Sequence, residues 1–335
     1  MTDGLKSQRE PLEEDGLLFG CVLDGEGGAS LVNWAEVEAW SQTGPALWIH
    51  LDRDSERVQT WLKHESNLTG PTVEALLAEE TRPRVFRGKR GFVTILRGVN
   101  TNPDEDPTDM IAMRMWSDGH RVITIRQQRL LTPRDILRQL IETETGPTTA
   151  AQLYERLIHR ITERMAEVLA SVDNRLFQIE ENIDIALASE QRRQLSALRQ
   201  EGAALRRYIS PQKEALTNIL IEPPSWFDDE SRLRLRETTD RVVRYVEEID
   251  AARERAMVIK DDIANQLAEA TNKTLYILAI ISGIFLPLSF FTGLLGINIG
   301  GMPAVDNDSA FWIFCILMLV VLAGELAIFR RLGWL

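Results

Sequence analysis

The stretch Gly293-Leu294-Leu295-Gly296-Ile297-Asn298-Ile299-Gly300-Gly301-Met302-Pro303 decides how this chain is read, because of what lies on either side of it. Before it, Leu275 to Leu295 reads LYILAIISGIFLPLSFFTGLL and holds no charged residue. After it, Ala310 to Phe329 carries a single charge, Glu325. A helix needs roughly 20 apolar residues to cross the hydrocarbon core, and both segments reach that length. The rest of the 335 residues is polar enough to hold the mean hydropathy at −0.15. The pattern predicts a two-span membrane protein with a large soluble head.

No secretory signal is read at the start, where Met1 to Asp15 is acidic and polar, so the head is expected to stay on the side where it is made. Two spans then return the C-terminus to that side. Arg330-Arg331 just after the second span agree with the positive-inside rule, and the link between the spans has Asp306 and Asp308 but no Lys or Arg. Both termini are expected in the cytoplasm. The net charge of −12 argues against nucleic acid as a partner and is compatible with cations. Cys21 and Cys315 lie far apart, which predicts no disulfide and a reducing compartment.

Residues 1–15 read as a loose leader, followed by an α/β head over 1–145. Strand-like runs occur at Leu17–Leu23, Ala46–Leu51 and Gly91–Val99, and Met110–Trp116 and Arg121–Arg126 form a hairpin across Ser117-Asp118-Gly119-His120. Helices are expected at Asn33–Gln42, Ser55–His64 and Pro71–Glu80. The strand order stays open. Residues 146–270 form a helical stalk region: a long amphipathic helix from about Thr148 to Ala188, another from Glu190 to Leu220, and a break at Pro223-Pro224. From Asp228 to Ser282 there is neither Pro nor Gly, and Val242, Val246, Ile249, Ala256, Ile263, Leu267 and Ala270 step by threes, fours and sevens. This helix is expected to run without a break into the first span, as a rod of about 90 Å. Residues 271–335 are the two spans with a short outer loop, 299–309. The fold class is an α+β/α membrane protein.

The sequence has no P-loop, no dinucleotide fingerprint and no nucleophile elbow. His50, His64, His120 and His159 lack metal-ligand spacing. Nothing points to an enzyme or a resident cofactor. Two spans cannot enclose a pore, so transport requires an oligomer with one span per subunit around an axis. One face of the first span reads Asn272, Leu275, Leu278, Ala279, Ser282, Leu286, Ser289 and Gly293, mixing small and hydroxyl side chains with leucines. The opposite face, Ile277, Ile280, Ile284, Leu288 and Phe291, is bulkier. The first face is read either as a pore lining or as ordinary helix packing. Asn298 stands where the span must end, as a helix cap or as a ring of neutral carbonyl dipoles that hydrogen-bonds the water shell of a hydrated cation.

Gly296-Ile297-Asn298 after a membrane helix, a short loop, a second helix and a basic tail resembles the CorA family of divalent-cation transporters, which carries Gly-Met-Asn here. Ile297 in place of Met, Phe285-Leu286-Pro287 and Gly300-Gly301-Met302-Pro303 look like its ZntB zinc-transporter branch, and Trp48-Ile49-His50-Leu51 fits the same layout. The resemblance implies a homopentamer in the inner membrane with a funnel-shaped cytoplasmic domain. It further implies a pore lined by the first span, an Asn298 selectivity ring, a constriction at Leu275 and Leu278, and Asn272 at the cytoplasmic mouth. The implied cargo is zinc, with cobalt, nickel, cadmium and magnesium as related ions, moved inward and coupled to protons.

A dehydrated zinc site wants His, Cys or carboxylate ligands, and the pore face has none. The ion is therefore expected to pass partly hydrated, with Asp306 and Asp308 either concentrating cations or forming an ordinary solvated loop. Glu237, Asp240, Asp261 and Asp262 on the stalk are read as solvated charges or as metal-sensing sites. Glu325 is open between snorkelling, pairing with Arg330 and proton coupling. The alternatives are a magnesium or cobalt channel of the CorA type, or a membrane-tethered sensor without flux.

Overall fold

The structure is a computed structural model that describes residues 13–79, 81–297 and 309–334. In chain order, β1 (Leu17–Leu23), β2 (Ala29–Val32), α1 (Trp34–Ala39), β3 (Leu47–Asp52), α2 (Glu56–His64) and α3 (Gly70–Leu77) open the head. Then come β4 (Arg84–Arg87), β5 (Phe92–Gly98), β6 (Ile111–Ser117) and β7 (Arg121–Arg126). The helical part holds α4 (Leu131–Arg138) with a π-helical turn over Gln139–Thr143, α5 (Ala150–Glu163), α6 (Met165–Glu181) and α7 (Ala188–Ile221). It closes with α8 (Asp229–Leu295) and α9 (Ala310–Arg331). The chain forms two compact units: residues 13–183 with 189–259, and residues 184–188 with 260–334.

In the first unit the strands form one sheet in the order β2-β1-β3-β7-β6-β5-β4, antiparallel except for the parallel pair β3–β7. Strand alternation sends Leu47, Ile49 and Leu51 to one face, where Trp34, Val58, Trp61 and Leu76 of α1, α2 and α3 cover them. Trp48 points to the other face, against Ile136, Tyr154, Leu157 and Ile161 of α4 and α5. A bulge in β1 lets Leu17 and Phe19 fall on opposite faces despite their spacing of two. Both faces are therefore buried, and α7 and α8 extend the second core through Leu205, Ile209, Leu216, Val242 and Ile249. The change from strands to helices near residue 130 is not a break in packing.

Local chemistry explains the boundaries. Asn33 and Glu36 form a capping box at α1, with Glu36 N–H donating to Asn33 Oδ1 at 3.0 Å and Asn33 N–H to Glu36 Oε2 at 2.8 Å. At the β6–β7 hairpin, Asp118 Oδ1 accepts from the N–H of His120 and of Arg121 at 2.9 and 2.8 Å, and Gly119 has φ +92°. Three expectations need correction. Strands β2 and β4 were not foreseen; each is four residues long and sits at a sheet edge. The expected helix from Thr148 to Ala188 is broken near Arg164 and again at Asn182–Asp184, where Asp184 caps a short 3-10 turn. The end of the expected loose leader is held, since Trp34 Nε1 donates to the Glu14 carbonyl at 2.8 Å. Helix α8 does run unbroken from the first unit's residues into the first span.

Candidate ion pathway in the membrane-spanning segments

Among the described residues two helices are long and apolar enough to cross a membrane, α9 and the C-terminal part of α8. They sit in the second unit and are antiparallel neighbours. The Tyr276 hydroxyl donates to the Trp334 carbonyl at 2.8 Å, and a Cβ built on Gly283 would lie 2.8 Å from the tip of the Phe329 ring. On α8, Ile280, Gly283, Ile284, Pro287, Leu288 and Phe291 are half-buried, a face with three- and four-residue spacing. The bulky face read from the sequence is thus the face toward α9, except that Ile277 is exposed.

Around the helix from that contact, Asn272, Leu275, Leu278, Ala279, Leu286, Ser289 and Gly293 are exposed and Ser282 is half-buried. The stripe carries no ion pair and offers only hydroxyl, amide and backbone oxygens. Helix α8 ends at Leu295, with Gly296 N–H donating to the carbonyls of Thr292 and Gly293 at 3.0 and 3.2 Å. Ile297 follows, exposed. Asn298, Asp306 and Asp308 lie outside the described residues.

Glu237, Asp240, Asp261 and Asp262 are all exposed on α8, and Asp262 accepts from Gln266 Nε2 at 2.9 Å. Among the described residues no group of three His, Cys, Asp or Glu side chains converges on one point. His50 is a packing residue: 2% exposed, its Nδ1 lies 2.9 Å from Thr124 Oγ1. That hydroxyl also takes the Trp48 indole N–H at 2.9 Å and donates to the Ile49 carbonyl at 3.2 Å. Its remaining lone pair accepts, so His50 carries its proton on Nδ1. Burial, with the charge of Arg126, pushes the imidazole down to about 3.

Sequence reading missed one group and left a second, Glu325, open. Glu155 of α5 is 3% exposed, and burial raises its carboxyl to about 7 although Arg234 and Arg156 oppose the shift. Its place three residues before Ile158 and four after Ala151 was a signal of core position. Glu325 stands on the half-buried face of α9, and its Oε2 is buried with no hydrogen-bond partner among the described residues.

The family model described as CorA-like Mg2+ transporter protein matches residues 45–331. The chain belongs to the CorA family. Membership makes it a divalent-cation transporter rather than an enzyme. It is 36% identical to the divalent cation transporter CmaX of Pseudomonas aeruginosa over 326 residues, covering 96% of this chain and 98% of that one. The structure of full-length CmaX superposes with a TM-score of 0.82 over 96% of this chain and 99% of that one, at 36% identity. Two further structures share the CorA fold at lower identity. The CorA magnesium transporter of Methanocaldococcus jannaschii gives a TM-score of 0.76 at 17% identity, over 94% of this chain and 98% of that one. The ZntB cytoplasmic domain of Vibrio parahaemolyticus gives 0.67 at 20% identity, over 76% of this chain and all of that one.

Proposed function

We propose that this CorA-family chain carries zinc and related divalent cations inward across the inner membrane as a homopentamer, with both termini cytoplasmic and transport coupled to protons. The observation that carries the reading is the placement of Gly296-Ile297-Asn298 at the end of a charge-free span whose small and hydroxyl stripe is exposed except at half-buried Ser282. Ile297, where the family has Met, is what favours the ZntB branch and zinc. A ring of Asn298 carbonyls selects a hydrated cation, and the Leu275 and Leu278 rings narrow the path that follows. The name of the relative CmaX, a divalent cation transporter, supports the ion class.

The test is zinc entry into liposomes that hold the purified protein, followed with an internal zinc dye, with and without a pH gradient. Asn298→Ala is expected to abolish selective zinc flux with assembly intact. Zinc flux unchanged by that substitution removes the ring from the mechanism. The second reading, a magnesium or cobalt channel, is favoured by the family model's own description. Magnesium flux without zinc flux would establish it.

A further inference from the structure

Glu325 is the one charged residue from Ala310 to Phe329, and the first span has none. On α9 the half-buried positions include Phe314, Met318, Val321, Leu322, Glu325 and Phe329, so the carboxyl stands in the row that packs on α8. A charged group in hydrocarbon is costly and a buried polar atom without a partner calls for an account.

The antiparallel register supplies one. Tyr276 meets Trp334 and Gly283 meets Phe329, so one turn further along α9 Glu325 comes level with Pro287. Pro287 lies inside α8 and has no N–H, so the Gly283 carbonyl cannot receive its helical hydrogen bond. An acceptor robbed of its donor and an orphaned carboxyl oxygen therefore stand at the same level of one interface. Two acceptors do not bond unless a proton lies between them. We propose that Glu325 is the proton-carrying residue of transport: protonated, its hydroxyl donates to the Gly283 carbonyl and ties α9 to the proline break in the first span. On deprotonation that bond is lost and the first span is released at Pro287. Among the described residues no other charge faces the pair. On α8 the nearest titratable groups are Tyr276, whose hydroxyl is held by Trp334, and exposed Lys273; on α9 they are Cys315, nearly three turns away, and exposed Arg330 and Arg331.

The proposal rests on the first span lining the pathway, and its test separates the two. Full-length protein in liposomes is titrated from acid to mildly alkaline pH while its infrared spectrum and its cation flux are recorded, as wild type, Glu325→Gln and Pro287→Ala. In the difference between the wild-type and Glu325→Gln spectra, which cancels Glu155 and the exposed carboxyls, a protonated-carboxyl band is expected, and the flux of Glu325→Gln loses its response to pH. Pro287→Ala gives Gly283 back its backbone donor, so the band and the pH midpoint of flux shift. A difference spectrum without that band overturns the proposal whether or not the protein transports. A band and midpoint untouched by Pro287→Ala overturn the Gly283 pairing. Absence of flux in every variant alongside the expected band counts against the transport reading alone.

Discussion

At the scale of single residues, burial decides more than residue type. Glu155 and His50 are both titratable and both lie inside the first unit, and His50 has its Nδ1 hydrogen-bonded to Thr124 while Glu155 is held mainly by burial. Glu155 holds its proton up to about 7, where a free glutamate has released it. A carboxyl with a raised folded value favours folding fully below its unfolded value near 4.5, and that contribution fades as pH rises through about 7. Between those limits the loss is at most about 3 kcal/mol. Glu155→Gln is therefore expected to flatten the fall in thermal stability from weakly acid to weakly alkaline pH, measured by circular dichroism on the full-length protein. A variant with the wild-type slope would clear Glu155 of the effect. The sequence showed Asn298 because a motif marks it, whereas Glu155 was hidden behind an ordinary charged-helix composition; only its spacing from Ala151 and Ile158 betrayed it.

At the scale of elements, the hairpin and the pair of spans each turn on a glycine, and the two differ in kind. At Gly119 a side chain meets both a left-handed φ of +92° and the Cγ of Trp226 at 2.6 Å, at the root of a ring locked against Tyr154 and Phe227. At Gly283 the obstacle is the tip of Phe329, which can swing. Gly119→Ala is expected to cost about 1–3 kcal/mol and Gly283→Ala less than about 1 kcal/mol. Melting of the two variants side by side checks the order, and equal losses would contradict it. Long periodic elements and the hairpin turn were legible because their signals repeat or are chemically sharp. The four-residue edge strands β2 and β4 present too short a pattern to show a period. The break near Arg164 falls among good helix formers, so nothing local announces it.

At the scale of the whole molecule, the proposed pathway needs more than one chain. Leu275, Leu286, Phe290, Trp312 and Val320 are 56–70% exposed, far more apolar surface than water tolerates, and need lipid or further copies against them. The stripe from Asn272 to Gly293 becomes a pathway only when copies surround it, which is why sequence periodicity could draw the stripe and not decide its use. Assembly also multiplies charge. In the proposed homopentamer every Asp306 and Asp308 recurs around the axis, so a modest pair per chain becomes a strong acidic collar at the pathway's mouth. Attraction of that kind acts over about 10 Å at 0.1 M salt and about 30 Å at 0.01 M. Replacing both aspartates with Asn is therefore expected to slow cation entry several-fold at low ionic strength and to change it little at high ionic strength, with Asn298 selectivity retained. Initial rates in liposomes across a salt series measure this. A loss of rate independent of salt would mean that the aspartates shape the loop rather than draw the ion, and no loss at any salt would place them outside the transport path.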